Sequence, residues 1–189
     1  ASVAFGAFSG GVLLDFAWPA LGATAIFALL LASALSEADR QRRVLREAAE
    51  RAAGELAAAH RIQMGLLPDL GSLSRDLPGL EVAGFIEPAR TVGGDFYDCV
   101  RLDRKRVYFV VGDVAGKGMP AALFMALSKA VLKNAAARGL DAGALLTQAA
   151  IEIDRDNPEQ LFVTAFAGIL DLESGELEYA NAGHEPPYL

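Results

Sequence analysis

Twenty consecutive residues, Phe16 to Leu35 (FAWPALGATAIFALLLASAL), carry no charged side chain, and about twenty residues is the length an α-helix needs to cross a bilayer. In lipid every backbone N–H and C=O must be satisfied inside the segment, so such a run is compatible with helix and with little else. The alternatives are a buried core helix and a secretory leader, the latter disfavoured because no basic stretch precedes the run and arginine-rich sequence follows it. Arg40, Arg42, Arg43, Arg46 and Arg51 come directly after Leu35, and basic residues flanking a span mark the cytoplasmic side. The pattern predicts one or more transmembrane segments over 1–35, an inner (cytoplasmic) membrane location, and a cytoplasmic remainder. Ala1 to Leu14, also uncharged, is short for a span and is expected to be the tail of an earlier one.

From Ser36 to Leu67 the chain is rich in Ala, Arg, Glu and Leu, as a long helix should be. Leu45, Ala49, Ala52, Leu56, Ala59, Gln63 and Leu66 alternate spacings of four and three, a heptad seam that suits a parallel homodimer or a helix docked on its own domain. Pro68 ends this linker helix, and 68–79 is expected to be a loop. The single cysteine, Cys99, permits no disulfide within one chain and agrees with a reducing compartment. A net charge of -7 excludes nucleic acid as the main partner.

After the loop, residues 80–87, 95–102 and 106–113 alternate or run apolar and read as strands. The last two flank Asp103, Arg104 and Lys105, which makes them a hairpin. Centring the turn on Arg104 sets Tyr97 opposite Val111, Cys99 opposite Phe109, Arg101 opposite Val107, and Asp95 opposite Asp113, with paired Cβ atoms about 5 Å apart. Two facing carboxylates at the edge of an apolar face repel unless something positive lies between them. A divalent cation answers the objection, because carboxylate and carbonyl oxygens are what magnesium and manganese prefer; two solvated aspartates at strand ends is the alternative. Alternation sends Asp98 to the opposite face, and Cys99 reads as a small core residue.

VVGDVAGKG (110–118) looks like a nucleotide-phosphate loop, but only three residues separate Gly112 from Gly116, and Gly118 rather than Ser or Thr follows Lys117. Two helices, starting near Pro120 and Asp141, and two strands, 161–171 and 175–183, complete the chain. Three strands, two helices and two strands predict an α+β fold with helices on a largely antiparallel sheet.

VGGDFYD (92–98), VGDVAGKGMPAAL (111–123), LFVTAFAGILD (161–171) and YANAGHEPPYL (179–189), with the junction RIQMGLLPDL, resemble the PPM-type (type-2C-like) metal-dependent serine/threonine phosphatases, in the bacterial branch of sporulation and stress-sigma-factor regulators. The resemblance covers 61–189. It implies an αββα sandwich of two antiparallel β-sheets with flanking helices. It also implies two Mn²⁺ or Mg²⁺ ions, and hydrolysis by a hydroxide held between them. By position it makes Asp95 and Asp113 the catalytic metal ligands, adds the carbonyl of Val114 or its neighbour, and makes Arg90 phosphate-binding. His184 is expected to be a hydrogen-bonded residue near the site. The family's later acidic ligands lie beyond its AGH motif, so 68–189 is expected to be a partial domain. The membrane segment resembles the last span of receptors with CHASE-type sensors. The implied function is a membrane-tethered phosphatase acting on a phosphorylated protein, an anti-sigma-factor antagonist by analogy. The alternative is a non-catalytic phosphatase-like sensor or scaffold that binds signalling partners.

Overall fold

The computed structural model describes residues 6–9, 12–15, 17–88, 91–155 and 157–188. It divides into two compact units, Ala1–Ala53 and Gly54–Leu189.

In the first unit β1 (Gly6–Ser9) pairs antiparallel with β2 (Val12–Asp15). Residues 6–9 and 12–15, expected to belong to the tail of an earlier span, are therefore paired strands, and runs of four residues are too short for a spanning helix. Helix α1 (Ala17–Gly65) follows, with Pro19 in its first turn, where a missing N–H costs nothing. It contains an 18-residue window of mean hydropathy 1.8, none of it buried, and is long and apolar enough to cross a membrane. Leu21, Phe27, Leu29, Leu30 and Leu35 are all exposed. The hydroxyls of Thr24 and Ser33 donate to the carbonyls of Leu21 and Leu30, so neither leaves an unsatisfied donor in the apolar run.

In the second unit α1 ends at Gly65, where Leu66 N–H is shared between the carbonyls of Ile62 (3.2 Å) and Gln63 (3.0 Å). The expected loop 68–79 contains a short helix, α2 (Leu70–Asp76). Asp69 caps it by accepting Ser72 N–H at 3.1 Å, and Leu70, Leu73 and Leu77 bury one stripe against Cys99 and Val107. Residues 80–87, expected to be a strand, form none. Their alternation is used for packing, since Leu80 and Val82 join the same cluster. Val82 N–H donates to Ser74 Oγ at 3.2 Å, so a side chain takes the place of a ladder partner.

Four antiparallel strands, β3 (Phe96–Arg101), β4 (Arg106–Val114), β5 (Val163–Asp171) and β6 (Leu177–Ala182), lie in that order across one sheet. Between β4 and β5 come α3 (Met119–Ala136) and α4 (Ala142–Arg155). Tyr97, Cys99 and Arg101 pair with Val111, Phe109 and Val107 in the expected register. On one face Phe96, Tyr108, Val110 and Val114 meet Met125, Leu132, Leu145 and Ala149 of the helix pair in the main core. The other face carries the smaller cluster with α2. This is the expected α+β arrangement; a second sheet of the sandwich is not among the described residues.

Candidate metal centre

Asp95 immediately precedes β3 and Asp113 is the last residue but one of β4. Because Phe96 pairs with Gly112, the next step along the ladder brings Asp95 opposite Asp113. Asp113 is held above its ordinary pKa, first by desolvation, then by the charge of Asp95; His184 and Val114 N–H pull the other way. The alternation that joins these aspartates sends Asp98 through the sheet, where it is buried and accepts from Lys129 Nζ of α3 at 2.7 Å.

The backbone around the pair is close-fitting. Val114 N–H donates to Gly94 O at 3.3 Å, and a Cβ at Gly94 would overlap Val114 O. Only glycine lets the chain bearing Asp95 approach the Val114 carbonyl in this way. Gly118 has φ +75° where the loop turns into α3, a conformation that side-chain-bearing residues avoid.

Thr164 is the β5 partner of Asp113. Its hydroxyl lies 2.9 Å from His184 Nδ1 and 3.4 Å from Asp113 O. The Asn181 side chain brackets the His184 backbone, accepting its N–H at 2.8 Å and donating to its carbonyl at 2.9 Å. His184 is thus the hydrogen-bonded neighbour that its position suggested, fixed beside Asp113 through Thr164.

Of the expected site residues, the structure sets Asp95 against Asp113, and the Val114 carbonyl lies beside Gly94, the residue before Asp95; Arg90 lies outside the described residues. Two carboxylates and a carbonyl are hard oxygen ligands, and facing like charges need a cation between them, so the donors fit Mg²⁺ or Mn²⁺, with water completing the shell. Among the described residues no group of three or more His, Cys, Asp or Glu side chains forms a metal site. Cys99 is no nucleophile: burial, and then the charge of Asp98, push its thiol up to about 11. An apolar groove of about 500 Å³, lined by Met119, Leu123, Phe124 and Leu161 among others, includes neither aspartate.

Gln63, one of the heptad-seam residues, has a second role that the sequence did not reveal. It is buried, and its amide exchanges two hydrogen bonds with the backbone of Gly93. The signal was a polar residue at an otherwise apolar seam position.

Residues 103–189 match the family model described as Stage II sporulation protein E (SpoIIE). The chain is 33% identical to Protein IcfG of Synechocystis sp. over 162 residues, covering 71% of this chain and 25% of IcfG. It is 26% identical over 149 residues to the phosphoserine phosphatase RsbU of Bacillus subtilis, covering 79% of this chain and 43% of RsbU. Among solved structures it is similar to the SiaA-PP2C domain of Pseudomonas aeruginosa, with 28% identity and a TM-score of 0.60, covering 71% of this chain and 54% of that one. The chain therefore spans between a quarter and about half of the length of these relatives. The antiparallel sheet backed by a helix pair, with Asp95 facing Asp113 at its edge, is thus similar to PP2C-type domains, and its residues 103–189 match the SpoIIE family model.

Proposed function

We propose that the chain is a membrane-tethered, metal-dependent protein serine/threonine phosphatase acting on a phosphorylated regulatory protein, an anti-sigma-factor antagonist. The observation that carries the reading is the facing pair Asp95 and Asp113, set opposite each other by the register of β3 and β4. RsbU, a phosphoserine phosphatase by name, supplies the substrate class, and the match to the SpoIIE family agrees with it.

In this reading Asp95 and Asp113, helped by the Val114 carbonyl, would hold two Mn²⁺ or Mg²⁺ ions, which would supply a water-derived nucleophile and offset charge on the phosphoryl oxygens. Thr164 and His184 keep the Asp113 end of β4 in place, and Arg90 clamps the phosphoryl group through its planar fork. The apolar first part of α1, up to Leu35, is the membrane span, 36–67 the linker helix with its dimer seam, and 68–189 the catalytic portion, on the cytoplasmic side.

The test is manganese-dependent hydrolysis of a phosphoserine protein by the full chain and by its Asp95→Asn and Asp113→Asn variants. Each variant should lose at least about a hundredfold, since even residues behind metal ligands cost 10–100-fold. Wild-type rates in both variants would remove the assignment.

A further inference from the structure

We infer that Gln63 is a positioning residue for the metal centre, fixing Asp95 through the backbone of Gly93; the inference rests on reading Asp95 and Asp113 as cation ligands. Gln63 Nε2 donates to Gly93 O at 2.7 Å, and Gly93 N–H donates to Gln63 Oε1 at 3.2 Å. One side-chain amide thus does for Gly93 what a neighbouring strand does for a ladder residue, satisfying its donor and its acceptor together.

That service is needed at this point in the chain. The β3–β4 ladder begins only at Phe96 and Gly112, so Gly93 has no strand partner. Two consecutive glycines have more backbone freedom than any other dipeptide and lose more on being ordered. Gly94 is held on the β4 side by Val114 N–H, and Gly93 on the α1 side by Gln63. Asp95 emerges from this doubly tied segment, with its carboxyl set against Asp113. Gln63 is itself buried and sits in the last turn of α1, a regular element that gives its amide a fixed origin. Metal ligands depend on the groups behind them for orientation, and removing such a group weakens metal affinity by about 10–100-fold.

A purely structural anchor between α1 and the domain would share the same hydrogen bonds, so the test must separate folding from metal geometry. Gln63→Met keeps length and apolar bulk and removes both hydrogen bonds. Gln63→Glu keeps the acceptor for Gly93 N–H and loses the donor to Gly93 O. In the full chain in detergent, Mn²⁺ affinity is measured from the electron paramagnetic resonance signal of the free ion. Melting temperature and amide exchange of the 92–95 peptide are followed in chelator. Both variants should bind Mn²⁺ about 10–100-fold more weakly and exchange faster at 92–95, with melting in chelator within a few degrees of wild type. Ile62→Ala, on the exposed side of the same turn, should change none of these. Mn²⁺ affinity within twofold of wild type in both variants, or a loss of binding that follows a loss of folded protein in chelator, overturns the inference. Asp95→Asn and Asp113→Asn are carried in the same titration. If they bind Mn²⁺ like wild type, the metal-site reading falls and Gln63 falls with it. If they lose binding while the Gln63 variants keep it, Gln63 alone is rejected.

Discussion

Asp95 and Asp98 stand three positions apart in one motif, and the pleat of β3 gives them opposite tasks. Asp95 faces Asp113 at the open edge of the sheet, whereas Asp98 points into the core, where its Oδ2 accepts from Lys129 Nζ and its Oδ1 from Cys99 N–H. Removing one member of a buried ion pair leaves the other uncompensated, at a cost of roughly 3–5 kcal/mol. Asp98→Asn should therefore shift the urea midpoint strongly downward while leaving Mn²⁺ affinity of the folded fraction unchanged; an unshifted midpoint would mean that the pair contributes nothing to stability. Cys99, next in sequence, is nearly buried, and its thiol is pushed up to about 11. At pH 8 only a trace is thiolate, the reactive form. Iodoacetamide should leave the native chain unmodified over hours and label it fully in urea, and rapid labelling of folded protein would contradict the burial.

The elements whose signals are local were legible in the sequence. The β3–β4 register followed from a charged turn between two alternating runs, α3 from Pro120 and Gly139, and the β5–β6 hairpin from Glu173, Ser174 and Gly175, where Asp171 Oδ1 accepts the N–H groups of Glu173 and Ser174. Alternation at 80–87 was read as a strand because periodicity reports burial on one side and not the presence of a ladder partner. Helix α2 was missed because turn residues on either side masked a stripe of only three leucines. Of the site, the aspartate pair was visible through register, whereas the Gln63 bracket depends on a contact between residues thirty positions apart. The structure also divides the heptad seam of α1. Leu45, Ala49 and Ala52 are exposed in the first unit, while Leu56 and Ala59 are half-buried and Gln63 is buried in the second. A dimer seam is thus open over Leu45, Ala49 and Ala52. Ala49→Leu with Ala52→Leu should favour a parallel dimer in analytical ultracentrifugation and, if the linker controls output, change the phosphatase rate severalfold. Dimerisation with an unchanged rate would make the helix a tether.

Across the whole molecule, the facing carboxylates couple folding to protons and, in the proposed function, to metal. The folded pKa of Asp113 is raised above 3.8, chiefly by burial and then by Asp95. Below 3.8 the folded and unfolded chains are both protonated, and Asp113 contributes no pH dependence. Between 3.8 and the folded value, the folded chain keeps a proton that the unfolded chain has released, so stability falls as pH rises. Above the folded value the full repulsion remains and the dependence flattens. A divalent cation binding only the folded state reverses this, adding RT ln(1 + [L]/Kd), about 2.7 kcal/mol at a hundredfold excess over Kd. In chelator, Asp113→Asn should therefore melt higher than wild type at pH 7, with the gap closing toward pH 4. Added Mn²⁺ should invert the order at pH 7, raising the wild type and leaving the variant where it was. Thermal melts at four pH values, with and without Mn²⁺, decide the matter: a gap that does not vary with pH would show that the two carboxylates do not confront each other in the folded chain, and a wild type that Mn²⁺ does not stabilise would show that the pair is not a metal centre.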